Sequence, residues 1–364
     1  MRIAFLGTGQ MGSAIAALLL KSGHSLVVWN RAKSRLQPLV QQGATAASSP
    51  AEAAKTSEVI FTMPMDDAAL EEIVFGRDGL LETMPENAAH VSLSTISVPL
   101  SQKLTVEHAI RKQSFVAAPV FGRPNVAAQG KLWIAAAGKQ DALDKVKPLL
   151  ESFSRGITVV GDKPYKAHAL KIGGNFLITA MIASLSEGFV FAESQSIDPA
   201  LYIEAVNSAL FQSPFYTAYS KVMLDPPETP GATIALGQKD TRLFREAAAA
   251  TNTRTPLADH FQEQMQRASD AGLRDRDWAA GYYQFVRPSR TEARKPASPP
   301  LPTNAMRACY ARAIFFFKSN RRSYGIKARR PSISVRAASR AARRYGLDVR
   351  SSRIRSRCNS NSWR

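Results

Sequence analysis

The sequence predicts an α/β protein: a doubly wound, mainly parallel sheet over residues 1–162, followed by an all-α domain over residues 163–286. Three observations carry this expectation. The apolar run Ile3-Ala4-Phe5-Leu6 leads straight into a glycine-rich turn and then a helical stretch. Short apolar runs then alternate with helical stretches as far as Gly161-Asp162, as in a sheet buried on both faces. From about Lys163 to Phe285 the strand pattern is gone, and nearly everything has helical length and spacing.

The first turn reads Gly7-Thr8-Gly9-Gln10-Met11-Gly12, and the helix after it continues to Lys21 and stops at Gly23. In the order strand, G-x-G-x-x-G, helix, the first glycine permits the tight turn and the second lets a pyrophosphate approach the backbone. The third allows close helix–strand contact, and the helix N-terminus points N–H groups at the anion. With a second strand at Ser25–Trp29, all six residues become candidate ligands of a dinucleotide in a Rossmann-type domain. The alternative is a glycine-rich turn that binds nothing.

The end of the second strand bears on which dinucleotide. Sites for NAD usually place Asp or Glu there; this chain has Asn30-Arg31, with Lys33 and Arg35 close behind. A carboxylate repels a 2′-phosphate and a guanidinium grips it with two N–H groups, so NADP is favoured over NAD. The competing reading makes these ordinary solvated charges at the start of the next helix.

Further along, Ser49-Pro50-Ala51-Glu52 reads as a capping box with proline at the first helical position. A buried strand over residues 59–63 meets Pro64 at its C-terminal end, where open parallel sheets bind ligands. Another over residues 91–95 ends at Ser94 and Thr95, hydroxyls suited either to a nicotinamide or substrate or to capping the next helix. Strands are expected over residues 115–117, Leu132–Ala137 and residues 157–160. Breaks in the helical half fall at residues 196–199, 212–214 and 225–231, and no fixed-period repeat is visible.

Charge divides the chain unevenly. Of 48 Lys+Arg and 29 Asp+Glu, residues 287–364 hold 21 and 2, which accounts for the net charge of +19 and leaves residues 1–286 neutral. Eighteen of those 21 are arginines, and apart from "AIFFFK" the segment lacks material for a core, so disorder is expected. It reads either as an arm that binds nucleic acid through phosphate contacts or, the preferred reading, as translation in a shifted frame. Both cysteines, Cys309 and Cys358, lie there too, so residues 1–286 have no thiol for a disulfide or a Cys-based metal site. No metal is expected, and a reducing, cytoplasmic setting suits the composition. The N-terminal run to Leu20 imitates a signal peptide, and residues 172–192 approach transmembrane length. The first is explained by a strand, turn and helix and the second is interrupted by Asn175 and Glu187, so no membrane is expected.

In "HALKIGGNFLITAMIASL", beginning at His168, Lys171 and Asn175 stand four apart in an apolar helix and share one face. Burying a lysine is unfavourable unless it is paired or its pKa falls. If that face looks into the crevice of the sheet domain, the amine can give a proton to a carbonyl oxygen or take one from a hydroxyl. The other reading is a lysine that snorkels to solvent. Gly173-Gly174 between them weakens a helix by about 1 kcal/mol each relative to Ala, or allows a close approach of a ligand or a neighbouring helix.

Taken together, "FLGTGQMGSAIAALLLKSGHSLVVWNRAKSR", "FTMP", "LSTIS", "VAAPVFGRPNVAAQGKLWIAAAG", "LKIGGNF" and "LGQKDTRLFREAA" resemble the β-hydroxyacid dehydrogenase family, in order from residue 1 to about 286. The resemblance implies an NAD(P)-dependent oxidoreductase acting on a small hydroxyacid or semialdehyde. It implies Lys171 as general acid/base, Asn175 orienting the substrate, and Lys239 touching cofactor and substrate. Met63-Pro64 and Thr95 correspond to the loops over the cofactor, and Asn30-Arg31 resembles the NADP-preferring members. A homodimer or homotetramer is implied as well. The substrate loop departs from the family's Pro-Val-Ser-Gly-Gly: here it is Pro119-Val120-Phe121-Gly122-Arg123. A phenyl ring replaces a hydroxyl donor to a substrate carboxylate, while Gly122 keeps its N–H and Arg123 offers a charge. Two alternatives stay open: an enzyme like the imine reductases, which share this scaffold and often lack the lysine, and a non-catalytic cofactor-binding interaction protein.

Overall fold

The computed structural model describes residues 1–288; the expectations for the basic segment, beyond its first two residues, fall outside the described residues. The first half builds β1 (Arg2–Leu6), α1 (Gln10–Lys21), β2 (Ser25–Trp29), α2 (Gln37–Val40), β3 (Thr45–Ala46), α3 (Pro50–Ala54), β4 (Val59–Thr62) and α4 (Asp67–Phe75). It continues through β5 (Ala89–Ser92), α5 (Val98–Ile110), β6 (Ser114–Ala117), β7 (Val120–Phe121), α6 (Pro124–Ala128), β8 (Leu132–Ala137), α7 (Gln140–Glu151) and β9 (Ser154–Gly161). The strands form one sheet in the order β3-β2-β1-β4-β5-β6-β8-β7, with β9 on β8.

Pairing is parallel from β3 to β6; β8 runs antiparallel to β6 and β7, and β9 parallel to β8. The chain winds outward from β1 to β3 and then crosses back to β4 on the other side of β1. The crevice at the C-terminal ends of β1 and β4 is therefore the switch point, where such sheets take ligands. Alternate residues of β1 enter opposite cores: Ile3 and Phe5 join Ile15, Leu19 and Phe61, whereas Ala4 and Leu6 join Ile60, Leu70 and Leu104. The two-residue strands β3 and β7 are too short to leave a periodic signal.

Residues 93–95, expected to finish a strand, leave the sheet after Ser92. Leu93 N still donates to Thr62 O (2.9 Å), but Ser94 Oγ turns back to Pro64 O (2.8 Å), tying together the loops after β4 and β5. The capping box forms with a shift: Ser49 Oγ accepts from Glu52 N (3.1 Å), while the Glu52 carboxylate reaches Ser48 N (2.7 Å).

The second half is helical: α8 (Tyr165–Ser194), α9 (Pro199–Val206), α10 (Pro214–Leu224), α11 (Ile234–Ala249), α12 (Pro256–Ala268) and α13 (Trp278–Val286). Its core is separate, built from Ile182, Phe189, Ile234, Met265, Ala279 and Tyr282. At 30 residues α8 is long and apolar enough to cross a membrane, with a mean hydropathy of 1.5, yet half of that window is buried within the fold. Lys171, Asn175 and Thr179 line one buried face at four-residue intervals, and Thr179 Oγ1 donates to Asn175 O (3.0 Å).

A buried histidine chain runs from the sheet, at Thr62 of β4 and His90 of β5, to His108 of α5. Gln113 Nε2 donates to Leu81 O and Met84 O (3.0 and 2.7 Å), which leaves its Oε1 to accept from His108 Nδ1 (2.8 Å). His108 Nε2 must then accept from His90 Nδ1 (2.8 Å), and His90 Nε2 from the Thr62 hydroxyl (2.8 Å). Each neutral ring thus has one donor and one acceptor satisfied. Phe115 stacks on His108 and on His168 of α8, whose Nδ1 meets Ser101 Oγ (2.8 Å).

Candidate active site

The glycines of the first turn are dictated by backbone contacts. Gly7 has φ +101°, and a Cβ there would lie 2.8 Å from Met63 O; a Cβ on Gly12 would lie 2.0 Å from Gly7 O. Gly9 is different: the nearest atom to its would-be Cβ is Arg35 Nη1 at 3.8 Å, so the open space above it is bounded by a guanidinium. No side chain caps the N-terminus of α1 at Gly9, and Thr8 Oγ1 is buried without a partner. Asn30 staples the loop, accepting from Thr8 N (3.1 Å) and donating to Ala32 O (3.0 Å). An uncapped helix end, a glycine that leaves room and an orphaned hydroxyl fit the pyrophosphate of a dinucleotide.

Of the remaining cofactor candidates, Gln10, Arg31 and Lys33 are exposed and Met11 is half-buried. Among the described residues neither Arg31 nor Lys33 enters an ion pair. Of the basic residues that follow β2, Arg35 is the one whose guanidinium comes within 4 Å of a Cβ on Gly9.

At the junction with the helices the polar side chains interlock. Lys171 Nζ donates to Asn175 Oδ1 (2.7 Å), and Asn175 Nδ2 donates to Asp240 Oδ2 (2.6 Å). Lys239 Nζ lies 2.9 Å from Asp240 Oδ1, a contact whose alignment makes it an ion pair rather than a hydrogen bond. Lys239 also donates to Thr95 O (2.8 Å) and Met65 O (3.1 Å), so it crosses from α11 to the loops after β5 and β4. The amide of Asn175 is oriented by this network, its oxygen toward an ammonium and its nitrogen toward a carboxylate. Burial lowers the Lys171 amine to about 8; Asp240 pulls the other way and Lys239 reinforces the fall.

Phe121 closes the other side. Its ring centroid is 4.2 Å from Lys171 Nζ, and a Cβ on Gly174 would lie 2.5 Å from its Cε1. Nothing lies within 4 Å of a Cβ on Gly173, so of the glycine pair it is Gly174 that the packing requires, and α8 runs unbroken through both. The next residue of the loop is glycine for its own reason: Gly122 has φ +142°, and a Cβ there would meet Leu132 Cδ2 at 2.6 Å. Arg123 is not free. It pairs with Asp277 across to the helical half and sits over the Tyr219 ring (5.5 Å), and its Nη1 is buried without a partner. Asp277 also caps α13, accepting from Ala279 N (3.0 Å).

The structure therefore gathers Met63, Pro64, Thr95, Phe121, Lys171, Asn175 and Lys239 at one junction, with Gly7 of the first turn packed against the Met63 backbone. Sequence reasoning missed Arg35 as a loop contact, and Asp240, Tyr219 and Asp277 as partners. Asp240 had a signal, standing next to Lys239; Asp277 and Tyr219 had none, since their partner Arg123 is far off in sequence.

A strand–glycine turn–helix unit shaped for a dinucleotide, with a buried polar network tying the helical half to the loops after β4 and β5, is the arrangement of an NAD(P)-dependent oxidoreductase. Residues 2–161 match the NAD binding domain of 6-phosphogluconate dehydrogenase, and residues 166–283 match the NAD-binding domain of NADP-dependent 3-hydroxyisobutyrate dehydrogenase. The chain is 42% identical over 281 residues to the uncharacterized oxidoreductase YfjR of Bacillus subtilis, covering 77% of this chain and 98% of that one. It is 30% identical over 278 residues to the chloroplastic glyoxylate/succinic semialdehyde reductase 2 of Arabidopsis thaliana, covering 76% and 77%. The chain belongs to the β-hydroxyacid dehydrogenase family. The fold also matches the crystal structure of a 3-hydroxyisobutyrate dehydrogenase from Salmonella typhimurium, with TM-score 0.72 and 24% identity, covering 79% of this chain and all of the other.

Proposed function

We propose that the protein is an NADP-preferring reductase or dehydrogenase of small carbonyl or hydroxyl compounds in the size range of the hydroxyacids and semialdehydes, with Lys171 as its general acid/base. The observation that carries this is the Lys171–Asn175–Asp240–Lys239 network, tied through Lys239 to the loops after β4 and β5. Bound NADPH supplies the hydride. Lys171 gives its proton to the carbonyl oxygen in reduction and takes it back from the hydroxyl in oxidation. Asn175 holds the amine in place and orients the substrate. Asp240 keeps part of the ammonium character that burial would remove.

For the cofactor, Gly7 to Gly12 cradle the pyrophosphate, Met63, Pro64 and Thr95 border the nicotinamide, and Asn30, Arg31, Lys33 and Arg35 surround the 2′-phosphate. Residues 1–162 act as the cofactor domain and residues 163–286 as the substrate domain, with Phe121, Gly122 and Arg123 contributed back from the first. A second copy covers the helical half, where Leu177, Phe191, Leu201 and Leu210 are each at least 60% exposed. The enzyme acts in the cytoplasm as a homodimer or homotetramer. Light scattering on the full chain tests the assembly, a monomer being the adverse result.

The functional test is NADPH and NADH consumption with a panel of small aldehydes, ketones, semialdehydes and cyclic imines. Carbonyl turnover with NADPH is expected, at least about tenfold faster than with NADH at low cofactor concentration. Turnover of imines alone, or none of any compound despite tight NADPH binding, overturns the reading.

A further inference from the structure

The cations around Lys171 are already committed. Lys239 faces the Asp240 carboxylate and two backbone carbonyl oxygens, and Arg123 is paired with Asp277. Lys171 itself is hydrogen-bonded to Asn175 and covered on one side by the Phe121 ring. Three cations thus meet two carboxylates, and the one charge in excess belongs to the group that moves the proton. A substrate carboxylate placed beside Phe121 would lose its water and meet a ring face, whose quadrupole is negative. Nor can the ring swing aside through α8, because it already rests on Gly174 at contact distance. An alkyl or aryl group at the same place buries apolar surface against Phe121 at no such cost.

From this arrangement we infer that Phe121, seated on Gly174 and over the Lys171 amine, selects aldehydes or ketones whose end next to the loop is uncharged and apolar, and discriminates against carboxylate-bearing ones. The inference rests on the carbonyl chemistry proposed above and narrows its substrate class. Arg123 acts in it only as a strap: held by Asp277 and lying over Tyr219, it keeps the loop, and with it the ring, in place.

The test compares matched pairs on the wild-type protein. With NADPH, pentanal is expected to show a kcat/KM at least about tenfold above that of succinic semialdehyde, and Phe121→Ser to narrow or reverse the ratio. Succinic semialdehyde turned over as fast as pentanal or faster overturns the inference. A second readout needs no turnover: calorimetric binding of 1-pentanol and of 4-hydroxybutyrate to the NADP+ complex. Tighter pentanol binding supports the selection by Phe121 even if no compound is reduced, in which case the carbonyl reading alone falls. Tighter 4-hydroxybutyrate binding overturns the selection even if aldehydes are reduced. If Phe121→Ser does not fold, the wild-type pairs decide.

Discussion

Two buried polar clusters meet on the first turns of α8, three residues apart, and they solve burial in opposite ways. His168 belongs to the group formed by His90, His108 and Phe115; Lys171 belongs to the group formed by Asn175, Asp240 and Lys239. The histidine chain is neutral, and each link from Thr62 to Gln113 uses one donor and one acceptor. The lysine cluster keeps charges, and its hydrogen bonds run to the loops at the switch point of the sheet rather than into the core. Burial and low pKa are common to both, so neither marks a reactive site by itself. What separates them is whether the network ends on a closed core or at a ligand crevice.

The largest expected effect lies on the lysine side. Lys171→Ala is expected to lower kcat by about a hundredfold or more, the usual worth of a positioned acid/base, with little change in NADPH affinity by fluorescence titration. A loss confined to cofactor affinity would erase the contrast between the clusters. The histidine side answers in stability instead. His90→Ala leaves the Thr62 hydroxyl and His108 Nε2 without partners in a sealed core, and a loss of about 2–3 kcal/mol in denaturant unfolding is expected, with kcat of the folded fraction within about threefold.

Much of this frame was legible in the sequence, for physical reasons that differ by residue. Gly7 and Gly12 are visible because backbone forbids a side chain at each: Gly12 meets Gly7 O within the motif itself, and Gly7 combines a φ of +101° with contact to Met63 O. Lys171 and Asn175 are visible because a helix puts them on one face. Phe121 was visible as a departure, but not its seat on Gly174, which lies across the domain junction. Arg123 illustrates the limit. Read as a charge offered to substrate, it is held by Asp277, 154 residues away, a pairing that no local spacing encodes. Arg35 was seen only as one basic residue among several, since the short turn that carries it over Gly9 has no periodic signature.

A smaller effect sharpens the role of Asp240. It touches Asn175 and Lys239 and not the reacting atoms, so it is a positioning residue, and Asp240→Asn is expected to lower kcat about tenfold. Because Asp240 raises the Lys171 pKa, its removal should move that group further down from about 8. In the reduction direction, where the protonated amine is needed, the alkaline limb of the rate profile then shifts to lower pH. In the oxidation direction the rising limb shifts the same way. A uniform loss with both limbs unmoved would make Asp240 a structural contact only.

The smallest effect is a pH dependence of stability on the histidine side. Burial holds His108 down to about 4 and His168 to about 3, and lowers His90 well below its ordinary value. His108 and His168 add their charge against His90, Arg111 works against a charged His108, and Glu107 favours one. In the unfolded chain each imidazole takes up a proton below about 6.5, while the folded protein refuses it until far lower pH. The unfolded state therefore binds more protons across this window. The stabilisation is complete above about 6.5 and drains away as the pH falls through 4 toward 3. Thermal melts are expected to show a constant midpoint between pH 7 and 8 and a progressive fall from pH 6 to 4. In His168→Phe, which removes one of these groups along with its unpartnered Nε2, the fall should be shallower. A variant as acid-sensitive as the parent would move the source of acid sensitivity away from this cluster. Lys171, lowered to about 8, stays protonated across that window, so the fall from pH 6 to 4 does not come from the lysine cluster.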